Sequence, residues 1–164
     1  RPEPPAMRPV DLAPLLAQVV RAHRAQLEHA RVTVVVSASP PLEVPGDGKR
    51  LGQVFSNLLT NAIQAMPTGG EVTVDARAVG TAVEVTFADR GKGFSAAALA
   101  HFAEFFFTEK EGGMGIGLSV ANEITKAHRG TMRAANRADG GACVTVTLPG
   151  HVPVPDPMPL EPQP

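Results

Sequence analysis

The chain has 164 residues, of which 43% are hydrophobic and 19% are charged, and its formal net charge is −1. These values are typical of a globular protein and exclude a disordered chain, a fibrous chain or a basic chain that coats nucleic acid. The single cysteine, Cys143, cannot form an internal disulfide, and no hydrophobic run approaches the ~20 residues of a membrane span. We therefore expect a cytoplasmic protein that does not bind nucleic acid.

Proline is concentrated at the two ends of the chain. Of 16 prolines, four lie in residues 1–9 and seven in residues 149–164. This distribution predicts an N-terminal linker at 1–9, one domain at 10–148 and a proline-rich tail at 149–164. The central segment is long enough to fold around one core without a disulfide or a structural metal.

The first elements of the domain are a helix, a strand and a loop. Leucines and valines recur at helical spacing from Asp11 to Ala30, and Val32 to Val36 is typical of a short strand. The segment from Ser37 to Gly48 is rich in proline and glycine. This predicts a loop that includes Asp47, a natural helix cap.

The next helix is the clearest element of the sequence. Apolar residues from Leu51 to Met66 keep the spacing of one helix face until Pro67. Asn57, Asn61 and Gln64 lie on one stripe beside that face, and amide oxygens suit a hard cation such as Mg²⁺. The solvated stripe of an amphipathic helix explains the same residues.

Two hairpins and a helix form the second half of the domain. Alternating segments from Glu71 to Arg77 and from Thr81 to Asp89 predict the first hairpin. Those from Thr131 to Arg137 and from Ala142 to Leu148 predict the second, and a helix from Leu118 to about His128 precedes it. Strands paired by hairpins with helices on one side predict a two-layer α/β sandwich.

Asp89 comes at the end of an alternating segment and is followed by Gly91 and Gly93. Glycines let the backbone approach a flat ligand, and a carboxylate accepts hydrogen bonds, which suits the exocyclic amine of adenine. An ordinary Asp-x-Gly turn explains the same residues.

Four glycines, at positions 112, 113, 115 and 117, precede the predicted helix. Free amide protons at a helix start, without side chains in the way, bind phosphate with the help of the helix dipole. The spacing is neither that of the dinucleotide fingerprint nor that of a P-loop, and a flexible linker explains the glycines alone.

The segment from Phe105 to Phe107 is unusual in a chain with seven phenylalanines and no tryptophan or tyrosine. It is interpreted either as part of the core or as a mobile lid, in which Lys110 swings toward phosphate. The five histidines have neither metal-ligand spacing nor an evident catalytic partner, and we interpret all of them as structural or solvated.

Taken in order, these motifs resemble the N, G1, F and G2 boxes of the ATP-binding catalytic domain of sensor histidine kinases, from about residue 10 to residue 148. The matching residues are Asn57-Leu-Leu-x-Asn61-Ala, Asp89-x-Gly91-x-Gly93, the phenylalanine-rich segment and Gly113-x-Gly115-x-Gly117-Leu118. The stretch Asn61-Ala-Ile-Gln-Ala-Met66 looks most like the nitrogen-regulation and dicarboxylate-sensing kinases.

The resemblance implies a Bergerat ATP-binding fold, in which a mixed sheet of about five strands has three helices on one face. It implies that ATP and Mg²⁺ bind, with Asn61 on the metal, Asn57 beside the metal and phosphates, and Asp89 on the adenine amine. The remaining ligand contacts that it implies are Gly91 and Gly93 at the base, Gly113, Gly115, Gly117 and Leu118 at the phosphates, and Lys110 in the lid.

The sequence contains no His-Glu-x-x-Asn-Pro motif of a phosphoacceptor. The resemblance therefore implies a histidine kinase module that phosphorylates a histidine on its own dimerisation hairpin domain, outside this chain, from which a response regulator takes the phosphoryl group. The full-length protein is expected to be a homodimer and this fragment a monomer.

Two alternative functions stay open: a degenerate nucleotide-binding regulatory module and an anti-sigma-factor-type serine kinase. Relatives that hydrolyse ATP place a glutamate base four residues before the metal-binding asparagine. This chain has Asn57 there, which disfavours hydrolysis. Ala142 stands where several members of the superfamily have a threonine that helps to hold a water on adenine.

Overall fold

The structure is a computed structural model that describes residues 6–102 and 114–150, with the backbone alone described at 114–116. Its elements in chain order are β1 (Arg8–Asp11), α1 (Leu12–Ala22), α2 (Arg24–Ala30), β2 (Val32–Ser39), β3 (Glu43–Gly46), α3 (Gly48–Gln64), β4 (Gly70–Val79), β5 (Ala82–Ala88), α4 (Ala96–Ala100), α5 (Met114–Ala127), β6 (Thr131–Asn136) and β7 (Ala142–Pro149). No helix in the described ranges is both long and apolar enough to span a lipid bilayer.

The main sheet has five strands in the order β2-β4-β5-β7-β6. Strand β2 pairs with β4 in parallel, whereas the pairs β4–β5, β5–β7 and β6–β7 are antiparallel. The two hairpins that alternation predicted are β4–β5 and β6–β7. The predicted mixed sheet and two-layer α/β class are therefore confirmed.

One hydrophobic core joins the helices to the inner face of the sheet. It contains apolar side chains of α1, α3 and α5 and the alternate residues of β4, β5 and β7. The ring of Phe55 in α3 stacks on Phe87 in β5, with centroids 6.1 Å apart. On the opposite face of the sheet, the hydroxyl groups of Thr86 and Thr145 are hydrogen-bonded at 3.0 Å.

A second, two-stranded sheet lies where a linker and a loop were predicted. Strand β1 pairs antiparallel with β3, and Pro9 faces Pro45 in this ladder. Proline cannot donate to a β-ladder, so it is a poor strand signal in a sequence, but a short edge pair tolerates it. The folded domain therefore includes Arg8 and Pro9, which were expected in the linker.

Helix boundaries differ from the prediction at two places. The first predicted helix is divided at His23, whose Nδ1 bonds to the carbonyl of Val19 and whose Nε2 bonds to Ser56 Oγ on α3. These contacts place the ring between helices and end α1. Helix α5 begins at Met114 rather than at Leu118, so Gly115 and Gly117 lie within it.

Candidate functional site

Helix α3 carries the two asparagines of the predicted site. Its N-cap is Asp47, whose Oδ1 accepts from the backbone N–H groups of Lys49 and Arg50, and its apolar face is fully buried. Helix α5 packs along α3. Asn57 and Asn61 are one turn apart, so the fold brings both onto one side of the helix, as predicted.

Asn61 is 8% exposed, and its Oδ1 atom is fully buried. Within the described residues this oxygen has no hydrogen-bond partner, and it is the one buried side-chain polar atom of that kind. A buried acceptor without a partner costs about 1–3 kcal/mol, so its retention calls for an explanation. A hard cation bound to Oδ1 would offset that cost, because amide oxygens are suitable ligands for Mg²⁺.

Asn57 links α3 to the start of α5. Its Nδ2 donates to the carbonyl oxygen of Gly117 at 3.0 Å, across 60 residues of sequence. The other end of the same helix pair is joined by His128, whose Nδ1 donates to the carbonyl of Ile124 and whose Nε2 accepts from the N–H of Asp47 at 3.0 Å. Both partners of this ring are backbone groups, which agrees with a structural role for His128.

Asp89 follows β5 directly and is only 3% exposed. Its Oδ1 accepts from the N–H of Gly91 at 2.8 Å and from the N–H of Ala142 at 3.3 Å. These two donors orient the carboxylate. Among the described residues none donates to Oδ2, which leaves that oxygen to accept from a ligand amine.

The two glycines after Asp89 have packing roles that the sequence did not indicate. A Cβ at Gly91 would lie 2.2 Å from the carbonyl oxygen of Ala65, the C-cap of α3. Gly93 has φ +76°, and a Cβ there would lie 2.9 Å from Asn136 Oδ1. Their predicted contact with a base stays a prediction, while the need for glycine at 91 already follows from the protein's own backbone.

The glycine-rich motif is described only in part. Gly115 and Gly117 lie in the first turn and a half of α5, and Leu118 is buried in the core. Because the first turn of a helix is where N–H groups lack helical partners, the free amides fall earlier than the predicted start at Leu118. Lys110, Gly113 and the segment from Phe105 to Phe107 lie outside the described residues.

The C-terminal half of α3 is the point where the described motifs meet. Asn57 contacts Gly117, and the N–H of Ala65 bonds to the carbonyl of Asn61 while Ala65 packs on Gly91. A buried amide oxygen, a buried carboxylate and a helix start thus lie around one helix end. This set offers a hard ligand for a cation, an acceptor for an amine and a positive dipole for an anion.

Sequence reasoning predicted the turn between β6 and β7 but missed its contacts with the loop after β5. Asn136 bonds to both backbone groups of Phe94, and Arg137 donates to the carbonyl of Asp89. The only signal in the sequence was the turn composition at Asp139 and the glycines that follow it. The described part of the chain contains no group of three or more His, Cys, Asp or Glu side chains that could hold a metal ion.

This chain is similar to one family of ATPases and to several sensor kinases. A family model for histidine kinase-, DNA gyrase B- and HSP90-like ATPases matches residues 46–152. The histidine-protein kinase BaeS of Escherichia coli is 36% identical in an alignment that covers 86% of this chain and 32% of that protein. The C4-dicarboxylate transport sensor protein DctS of Rhodobacter capsulatus is 33% identical over 88% of this chain and 23% of its own length.

The chain spans about a third or less of these curated relatives. Among solved structures, full-length ShkA in complex with AMPPNP is 27% identical, with a TM-score of 0.77 over 88% of this chain and 31% of that chain. The predicted likeness to sensor kinases is confirmed, and the match to DctS is loosely consistent with the predicted dicarboxylate-sensing group.

Proposed function

The chain belongs to the family of histidine kinase-, DNA gyrase B- and HSP90-like ATPases, and on that premise we propose that it binds ATP with Mg²⁺ and donates the γ-phosphoryl group to a histidine. The acceptor histidine lies on a dimerisation hairpin domain outside this chain. A response regulator then takes the phosphoryl group from that histidine. ShkA, a fold neighbour, has been solved with AMPPNP, an ATP analogue, which supports this choice of ligand.

The observation that carries the proposal is the buried Oδ1 of Asn61, which has no partner among the described residues. An amphipathic helix with a merely solvated stripe would expose this oxygen to water. Asn61 instead keeps this acceptor inside the protein. It lies one turn before Ala65, which packs on Gly91 in the loop that carries the buried carboxylate of Asp89. We infer that Oδ1 is a ligand for Mg²⁺, which when bound neutralises phosphate charge.

The other residues of the site contact different parts of the nucleotide. Asp89 Oδ2 accepts from the exocyclic amine of adenine, and its Oδ1 is held by two backbone amides so that the carboxylate cannot rotate freely. Asn57 has its amide nitrogen committed to the carbonyl of Gly117, which leaves its oxygen as the group available to the metal and phosphates. The amides of the first turn of α5, with Gly115 and Gly117, bind phosphate oxygens.

The reaction is a phosphoryl transfer between two positioned groups. A ring nitrogen of the acceptor histidine bonds to the γ-phosphorus, and the bond from that phosphorus to the β–γ bridging oxygen breaks, so that ADP leaves. Such a transfer depends mainly on alignment and on neutralising charge. This chain supplies both by holding the base and the phosphates at fixed places.

Hydrolysis of ATP by a base on α3 is disfavoured by the contacts of Asn57. An amide side chain does not take a proton from water at neutral pH, and this one is fixed by its bond to Gly117. A chain that holds ATP without activating water is suited to passing the phosphoryl group to a partner. ATP and a response regulator are both expected in the cytoplasm, where we place this domain.

The test is transfer of label from γ-labelled ATP. The chain alone should not label itself. Adding the hairpin domain encoded with this chain should give label that is stable in alkali and lost in acid, as expected of phosphohistidine. Asn61→Ala should reduce that label to background, whereas Ser56→Ala, on the same helix but facing His23, should retain it.

Each of two results would favour one of the alternative functions over the proposed one. Strong labelling of the isolated chain, stable in acid, would favour the serine kinase. Bound ATP with no transfer to the native hairpin domain would favour a regulatory nucleotide-binding module.

A further inference from the structure

The loop after β5 is held by one asparagine at the end of β6. Asn136 Oδ1 accepts from the N–H of Phe94 at 2.7 Å, and Asn136 Nδ2 donates to the carbonyl of the same residue at 2.7 Å. A side-chain amide thus satisfies both backbone groups, as a neighbouring strand would. The side chain of Asn136 is exposed, so its two bonds do not serve to fill the core.

The same turn holds the other end of the loop. Arg137 donates from a guanidinium nitrogen to the carbonyl of Asp89 at 3.0 Å, and the N–H of Asp89 donates to the carbonyl of Ala142 at 2.9 Å. Gly141 makes this approach possible, because a Cβ there would lie 2.1 Å from the carbonyl oxygen of Asp89. The backbone on both sides of the carboxylate is therefore positioned by residues 136–142.

Not every contact of the turn contributes equally. The pair between Arg90 and Asp139, at 3.3 Å, joins two side chains that are each more than half exposed, so solvent screens it. The bonds made by Asn136 fix the backbone N–H and carbonyl of Phe94, whereas the ring of Phe94 packs separately against the core and Phe102. Local order in such a loop depends on a few bonds, while the global fold depends on the core.

We propose that Asn136 is a positioning residue for base recognition, acting through the loop from Gly91 to Phe94 on the direction of the Asp89 carboxylate. The proposal rests on the proposed nucleotide function. It assigns to Asn136 an effect on adenine affinity and on discrimination against bases with a carbonyl in place of the amine. It assigns no effect on the phosphates, which the proposed function places at α3 and α5.

The experiment compares three ligands on the whole chain by calorimetry: ATP, inosine triphosphate and inorganic tripolyphosphate, all with Mg²⁺. For Asn136→Ala, ATP affinity should fall about fivefold to thirtyfold, the effect of one or two neutral hydrogen bonds. Affinity for tripolyphosphate should not change, and the preference for ATP over inosine triphosphate should narrow.

Arg133→Ala is the matched control. Arg133 lies on the same strand, and its guanidinium pairs with Glu84 in an exposed contact. This variant should bind all three ligands like the wild type. Asn136→Asp keeps the acceptor for the N–H of Phe94 but sets a carboxylate oxygen against the Phe94 carbonyl, so its ATP affinity should fall at least as far as that of Asn136→Ala, and it serves if the alanine variant does not fold.

The outcomes separate the two proposals. A wild-type chain that does not bind ATP would overturn the proposed function itself. A wild-type chain that binds ATP, with Asn136→Ala unchanged or with ATP and tripolyphosphate affinities reduced equally, would overturn the positioning role alone.

Discussion

Adding one methyl group at Gly91 tests how the loop after β5 packs on α3. A Cβ at this position would lie 2.2 Å from the carbonyl oxygen of Ala65 and 2.7 Å from its carbonyl carbon. Close carbon–oxygen contacts in proteins are about 3.3 Å, so the loop and the helix end would have to separate by about 1 Å. The obstacle is backbone, which cannot rotate out of the way as a flexible side chain would.

The cost of Gly91→Ala follows from this geometry. Overpacking of a tight contact costs about 1–3 kcal/mol, and the upper half of that range is expected where only backbone can move. For a domain of this size each 1 kcal/mol lowers the melting temperature by about 2–4 °C. We expect Gly91→Ala to lower the free energy of unfolding by about 2–3 kcal/mol in the absence of nucleotide.

Urea unfolding of the chain without ligand measures this change. Gly52→Ala, within α3, is the control, because a Cβ there would lie at an ordinary contact distance of 3.6 Å from Leu15 Cδ1 of α1. That variant should be more stable by up to about 1 kcal/mol, the helix propensity difference between the residues. If Gly91→Ala unfolds at the wild-type urea concentration but no longer binds ATP, the glycine serves the base and not the packing.

Three further predictions address the carboxylate, the core and acid stability. Asp89→Asn keeps an acceptor for the N–H of Gly91 but presents a donor group to the adenine amine. Calorimetry should therefore show an ATP affinity about tenfold to a hundredfold lower. An unchanged affinity would refute the base contact. Phe55→Ala removes a fully buried ring, and urea unfolding should show a loss of about 3–5 kcal/mol, whereas less than about 1 kcal/mol would contradict the packing. Bonds from the N–H groups of Ala6 and the first turn of α3 hold the pKa of Asp47 below its usual value. The ionised carboxylate therefore stabilises the fold at pH values above the ordinary aspartate pKa. This contribution is lost as the pH falls through the lowered pKa. Asp47→Asn should therefore flatten the decline in melting temperature in acid, and an identical decline in both proteins would count against this linkage.

The parts of the fold that sequence could predict are those with a repeated local pattern. The helix from Leu51 onward and the two hairpins follow from apolar spacing, because burial of one face imposes the period of the element. The pairing of β1 with β3 does not follow from such a pattern, since prolines occupy both strands. The division of the first helix depends on a bond from His23 to Ser56, 33 residues away.

In the candidate site, too, the residue types could be predicted, but the contacts between distant segments could not. The residue types at Asn61 and Asp89 indicated a cation and an amine, and the structure adds that both are buried. The bonds of Asn136 to Phe94 could not be predicted from the sequence, because the two residues are 42 positions apart and asparagine before a turn is common. The packing of Gly91 on Ala65 is likewise a contact between segments that no local pattern encodes.

Titration of the chain with ATP, in Mg²⁺ and then in a chelator, tests the central claim most directly. Wild-type chain and Ser56→Ala should bind ATP in Mg²⁺ and lose most of that affinity in the chelator. Asn61→Ala should bind weakly in both conditions, because the buried oxygen that we assign to the metal is gone. Tight ATP binding that is unaffected by removing Mg²⁺ or by Asn61→Ala would contradict the account.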